Sequence, residues 1–127
     1  MAGLPDGNAG PTKEDAALLM SIFNGPSGER ASSGIELLWT YREPPTFNEL
    51  VAEHPSGSPA YLDVMGLLTI CERLGTFVKS GVLHMGLTLD LVGVAMVWGR
   101  CSRLVADMRE QRQNPKLFEN FEWLAAR

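Results

Sequence analysis

The chain has 127 residues, room for one domain and little more. Hydrophobic residues make up 45% and charged residues 20%, which excludes a disordered chain, a collagen-like repeat and a disulfide scaffold. Eleven Lys and Arg stand against fifteen Asp and Glu, and the net charge of −4 points away from nucleic acid or an anionic membrane as main partner.

Residues 1–11 are rich in Gly, Pro and Asn and read as a disordered tail, which leaves 12–127 for a single helical domain. The tail lacks the basic and apolar regions of a signal peptide. A first helix starts at Thr12, whose hydroxyl can cap the Asp15 amide, and Leu18, Leu19, Ile22 and Phe23 form its apolar stripe. Asn24-Gly-Pro-Ser-Gly stops it, and the chain through Gly34 reads as loop. A short helix over 35–42 ends before Pro44-Pro45. Thr46-Phe-Asn-Glu49 is a capping box that opens a short helix with Phe47, Leu50 and Val51 facing inward. His54 follows as a helix-end residue.

Ser58-Pro59 is a cap followed by a first-turn proline. The helix over 61–79 carries Val64, Leu67, Leu68, Ile70, Cys71, Leu74, Phe77 and Val78 on one half of its circumference. Thr69, Glu72, Arg73, Thr76 and Lys79 hold the other half. So wide an apolar arc predicts a central helix with neighbours on two sides, stopped by Gly81. Residues 82–99 are the only apolar run of near membrane-spanning length, and His84, Asp90, Gly86 and Gly93 break it up. A further helix is expected to start with Thr88 as cap and Asp90 in its first turn, with a bend near Gly93 or Gly99. Over 97–113 an amphipathic pattern turns Val97, Trp98, Cys101, Leu104, Val105 and Met108 inward and Arg100, Arg103, Asp107 and Glu110 outward. Asn114-Pro115 repeats the cap-proline start for a closing helix with Leu117, Phe118, Phe121, Leu124 and Ala125 on one stripe. No strand-period run and no internal repeat occurs. The expected fold is all-α, a compact bundle of five or six helices.

The segments Cys71-Glu-Arg-Leu-Gly75, Val78-Lys-Ser-Gly-Val82, Trp98, Arg109 and the closing Asn114-Pro-Lys-Leu-Phe-Glu-Asn-Phe-Glu-Trp-Leu-Ala-Ala-Arg127 resemble an uncharacterised bacterial family. Its members end on a Phe-Glu-Trp-Leu helix. The resemblance covers residues 35–127 and implies an all-helical domain without implying any activity. Some look-alikes carry an N-terminal membrane helix, and this chain departs from them there.

Chemistry-bearing constellations are sparse. There is no P-loop, dinucleotide fingerprint, nucleophile elbow or H-E-x-x-H. Cys71 and Cys101 are expected to be free, buried thiols of a reducing cytoplasm, because both lie on apolar arcs. Cys101 paired with His84 would need an accessible thiolate, which that placement denies it. The pairs Glu49/Glu53 and Glu119/Glu122 read as solvated carboxylates, and no Glu-x-x-His metal motif is present.

Trp123 stands apart. It projects away from the Leu117–Leu124 stripe and shares the polar face of its helix with Lys116 and Glu119, so another segment covers it or it anchors a partner. The expected function is a non-enzymatic, cytoplasmic interaction or accessory module, with Trp123, Lys116 and Glu119 touching a protein partner or a second copy. No catalytic residue, cofactor or metal is assigned, and neither nucleic acid nor membrane is an expected partner. The alternative is a small transcriptional regulator using a winged-helix-like unit over 45–83. Against it, Arg73 and Lys79 are the only basic residues of its would-be recognition helix. A small-molecule-binding or catalytic helical protein ranks third.

Overall fold

A computed structural model describes residues 10–127, so most of the tail expected over 1–11 lies outside the described residues. Seven helices occupy that range rather than five or six: α1 Lys13–Phe23, α2 Pro26–Trp39, α3 Phe47–Glu53, α4 Pro59–Lys79, α5 Met85–Leu91, α6 Val94–Gln111 and α7 Glu119–Ala125. No strand is present among the described residues.

The central position of α4 follows from its apolar arc. Val64, Leu67, Leu68, Ile70, Cys71, Leu74 and Val78 are all buried, with α2 packed along one flank and α7 along another. Its C-terminus is a Schellman motif. Gly81, at φ +78°, donates its N–H to Val78, and the next N–H, from Val82, reaches Phe77. Around this axis α3 and α6 pack together, α6 closes on α7, and α1 rests on α2 and α5.

The segment expected as loop up to Gly34 is helical. Gly25, at φ +103°, and Pro26 redirect the chain within two residues, so α2 starts where α1 has just stopped. Ser and Gly lower intrinsic helix propensity, which is why the stretch reads as loop. Burial overrides propensity here. A Cβ at Gly34 would lie 2.5 Å from the Asp63 carbonyl oxygen, so the glycine lets α2 and α4 approach backbone to backbone.

Three helices are only seven residues long, too short to persist alone. Each has its N-terminus held by a carboxylate from a longer helix. Asp107 of α6 accepts the Asn48 N–H of α3 at 2.9 Å. Asp15 of α1 accepts the His84 N–H at the start of α5 at 2.9 Å. Glu72 of α4 accepts the Asn120 and Phe121 N–H groups of α7 at 3.0 and 2.9 Å. Each anion meets orphan donors at the positive end of a helix dipole.

The helix starts after residue 80 differ from expectation. His84, not Thr88, caps α5, its Nδ1 accepting the Leu87 N–H at 3.0 Å. Thr88 is buried inside the helix with its hydroxyl donating to the His84 carbonyl. Asp90 therefore falls in the last turn of α5, exposed, instead of the first. The bend expected near Gly93 or Gly99 occurs at Gly93. There φ −71°, ψ 65° and a Val94 N–H to Val92 carbonyl bond form an inverse γ-turn between α5 and α6. Asn114-Pro115 starts no helix: residues 115–118 are turns, Phe118 sits at φ +58°, and α7 begins only at Glu119.

Candidate interaction surface

The Trp123 cluster is the first candidate. The edge of Trp98 meets Phe121 at 4.9 Å between ring centroids, and Arg109 joins Glu122 at 2.8 Å while donating to the Leu117 carbonyl. These contacts fix α7 against α6. Trp123 then lies half-buried on the outer side of the core, with Lys79 Nζ 5.6 Å and the Arg127 guanidinium 4.6 Å from its ring centroid. Lys79 reaches it from α4 because Gly75 admits the α7 backbone: a Cβ there would stand 2.1 Å from the Asn120 carbonyl oxygen. Glu119 shares the Trp123 face one turn earlier and is exposed, whereas Lys116 is exposed in the preceding turn, off the helix. The structure thus keeps two of the three expected residues on one helical face, and the indole is already occupied by two intramolecular cations.

A polar depression of about 570 Å³ is lined by Tyr41, Arg42, Glu43, Glu49, Glu53 and Arg103. Arg103 donates to the Pro44 carbonyl at 2.6 Å and Arg100 to the Tyr41 carbonyl at 3.0 Å, so these outward-facing arginines tie the 40–44 loop to α6. The Tyr41 hydroxyl is shielded and lies beside Glu53 without closing a hydrogen bond of full geometry. Burial first, and then the carboxylate, push its pKa up to about 12, so the phenol keeps its proton. Glu49 serves the α3 capping box, accepting the Thr46 N–H at 2.8 Å. That bond first, with the Thr46 hydroxyl and Arg103 adding to it, holds its carboxyl below the ordinary range.

The two thiols are free and buried, as their helix phases require. Burial pushes Cys71 up to about 12 and Cys101 higher still, which leaves both as unreactive thiols at neutral pH. His54 ends α3, its backbone N–H bonded to Leu50. No cluster of three or more His, Cys, Asp or Glu side chains suited to a metal ion occurs among the described residues.

The third candidate was not legible in the sequence. A cleft of about 390 Å³ between α1 and the α5–α6 junction is lined by Leu19, Met20, Phe23, Leu91, Val92 and Gly93. Met20 is 58% exposed and Leu91 64%. Met96, also 64% exposed, reaches to within 3.4 Å of where a Gly93 Cβ would stand. One helical turn beyond Met96, the Arg100 guanidinium stacks 4.2 Å above the ring of Trp39, itself 50% exposed. The face therefore runs from an apolar cleft to a Trp–Arg stack, residue types enriched at the energetic centres of interfaces. Methionines at such a place adapt to differently shaped partners. Met20 and Leu91 line the same cleft only in the folded chain, where the γ-turn at Gly93 sets the end of α5 against α1, a juxtaposition that no periodicity encodes.

No helix among the described residues is long and apolar enough to cross a membrane. No curated protein and no solved structure matches the chain. The sequence profile of a family described as a domain of unknown function, DUF4760, matches residues 12–127, starting at the Thr12 cap and running through α7. The chain belongs to the DUF4760 family.

Proposed function

We propose that this protein is a non-enzymatic interaction module whose docking face is the cleft between α1 and the α5–α6 junction. The observation that carries the reading is the apolar cleft lined by exposed Met20 and Leu91, with exposed Met96 lying against its Gly93. Large apolar side chains gathered around a concavity mark binding surfaces, because their isolated exposure leaves apolar area in water for no folding gain. The Trp123 face with Lys116 and Glu119 is the weaker candidate, since Lys79 and Arg127 already cover the indole. The winged-helix alternative draws no support from α4, whose flanks are taken by α2 and α7.

Affinity capture from the native host, followed by mass spectrometry, tests the reading with two variants. Leu91→Glu places a charge on the cleft rim and should remove the captured partner, while Trp123→Ala should retain it. The reverse pattern moves the docking face to α7, and a partner indifferent to both variants removes the reading.

A further inference from the structure

Two arginines line one small cavity where the start of α2 lies against α4. Its volume is about 190 Å³, and its walls include Ser27 and Arg30 of α2 with Gly66, Thr69 and Arg73 of α4. No carboxylate lines it among the described residues. Like charges facing one recess repel, and they converge here in a chain that carries fifteen acidic residues against eleven basic ones. An anion held between the two guanidinium groups removes that repulsion.

Neither arginine is neutralised by a close partner. The positions three and four residues from Arg30 and Arg73 hold Ser, Pro, Gly, Ile, Thr and Phe, so neither has an acid to pair with along its own helix. Arg30 has one ion pair, to Asp63, and it is long: 3.9 Å from Nε, beyond hydrogen-bond reach and half in solvent. Asp63 and Glu29 line an adjoining depression instead of this cavity. Arg73 makes no hydrogen bond or ion pair among the described residues, whereas Arg100, Arg103 and Arg109 of α6 each donate to a backbone carbonyl. The stem of Arg30 is seated on Gly66, where a Cβ would stand 3.0 Å from its Cγ. Glycine lowers helix propensity inside α4, and the room it leaves is taken by this side chain.

The two helices run antiparallel here: Gly34 meets Asp63 and Arg30 meets Gly66, so Arg73, seven residues further along α4, shares the cavity with Ser27 at the start of α2. The Ser27 hydroxyl and N–H make no hydrogen bond among the described residues, since Gly25 offers no capping side chain. Thr69 adds no donor, because its hydroxyl is given to the Met65 carbonyl. Donors therefore come from three directions, two guanidinium planes on different helices and one serine. A planar carboxylate is satisfied by a single guanidinium, whereas the three terminal oxygens of a phosphate group can accept from all three. Volume sets the size of the ligand. Pockets for whole small molecules run from about 300 to 1,000 Å³, so this one holds a head group and leaves the remainder outside.

We propose that the cavity between the start of α2 and α4 binds a phosphate group, free or at the end of a small ester, with Arg30 and Arg73 pairing with its oxygens and Ser27 donating to it. The site shares no lining residue with the apolar cleft and does not depend on the interaction-module reading.

The test is an NMR titration of the full chain with inorganic phosphate at neutral pH, with chloride holding the ionic strength constant. The Ser27 N–H and Arg73 Nε–H signals should shift and saturate, and chloride alone should leave them in place. Arg73→Gln and Arg30→Gln should each weaken binding about tenfold or more, the scale of losing a charge-assisted hydrogen bond. Arg73→Gln breaks no hydrogen bond or ion pair among the described residues and should melt as the wild type does, which keeps the test readable even where Arg30→Gln loosens α2. Arg42→Gln, an exposed arginine outside the cavity, should bind phosphate unchanged. Glycerol 3-phosphate separates the two sources: saturation as tight as with inorganic phosphate assigns an ester, and exclusion of the ester assigns the free ion. Shifts that never saturate, equal shifts with chloride, or an affinity that Arg73→Gln leaves intact overturn the phosphate site.

Discussion

Glu72 shows what one side chain can do across the fold. Its two oxygens accept three N–H groups from Asn120 and Phe121, so a residue of the polar half of α4 is the cap of α7. Hydrogen bonds to a charged group contribute about 1.5–3 kcal/mol, and Glu72→Ala should lower stability by that amount in urea melts, with Glu72→Gln losing less. Asp15 carries a pH dependence. The Thr12 N–H, and then that of His84, hold its carboxyl below the ordinary 3.8. A lowered native pKa means that the stability Asp15 contributes is complete above 3.8 and is lost as pH falls through the native value. Thermal melts recorded towards acid pH should therefore show a smaller decline for Asp15→Asn than for the wild type. The buried thiols should resist Ellman's reagent until the protein unfolds, since the reacting species is the thiolate that burial suppresses.

At the scale of the element, glycines separate packing from propensity. Gly34→Ala forces a methyl against the Asp63 carbonyl and should destabilise by about 1–3 kcal/mol, the scale of an overpacked core. Gly99→Ala meets nothing within 4 Å among the described residues and should stabilise α6 by up to about 1 kcal/mol. Chemical denaturation of the two variants side by side tests both expectations. The same contrast explains α2. Local propensity disfavours a helix through Ser32, Ser33 and Gly34, but Gly28, Ala31, Gly34 and Leu38 are buried on one face and gain more from packing than propensity withholds.

For the whole molecule, the closing helix joins core to surface. Phe121 is fully buried beneath Trp98, and Phe121→Ala should cost about 3–5 kcal/mol, as aromatic deletions in packed cores do. Trp123 is held at the edge of the core by two cations, so Trp123→Ala should cost roughly 1–2 kcal/mol. Calorimetric melts of the two variants would place α7 as scaffold or as docking surface. A Trp123 variant that melts unchanged yet loses a partner would return the docking face to α7.

The all-α class, the Thr12 and Thr46 caps, the Gly81 stop, the inward arcs of α4 and α6 and the buried thiols were legible in the amino-acid order. Each rests on forces within a few residues: a hydroxyl reaching an amide three positions on, or apolar side chains recurring every turn. Tertiary structure decided the rest. The start of α7 depends on Glu72, 48 positions from Asn120, and on a left-handed Phe118 that no local preference favours. The start of α5 depends on Asp15, 69 positions from His84. The cleft at Met20 and Leu91 arises where α1 meets the α5–α6 junction, so its residues are scattered along the chain, and Met20 and Leu91 each alone read as ordinary exposed apolar side chains. Local sequence sets which segments become helices, because caps and periodicity act over a single turn. Which helix ends are held and which apolar residues stay in water are set by groups far apart in sequence, and those meet only in the folded chain.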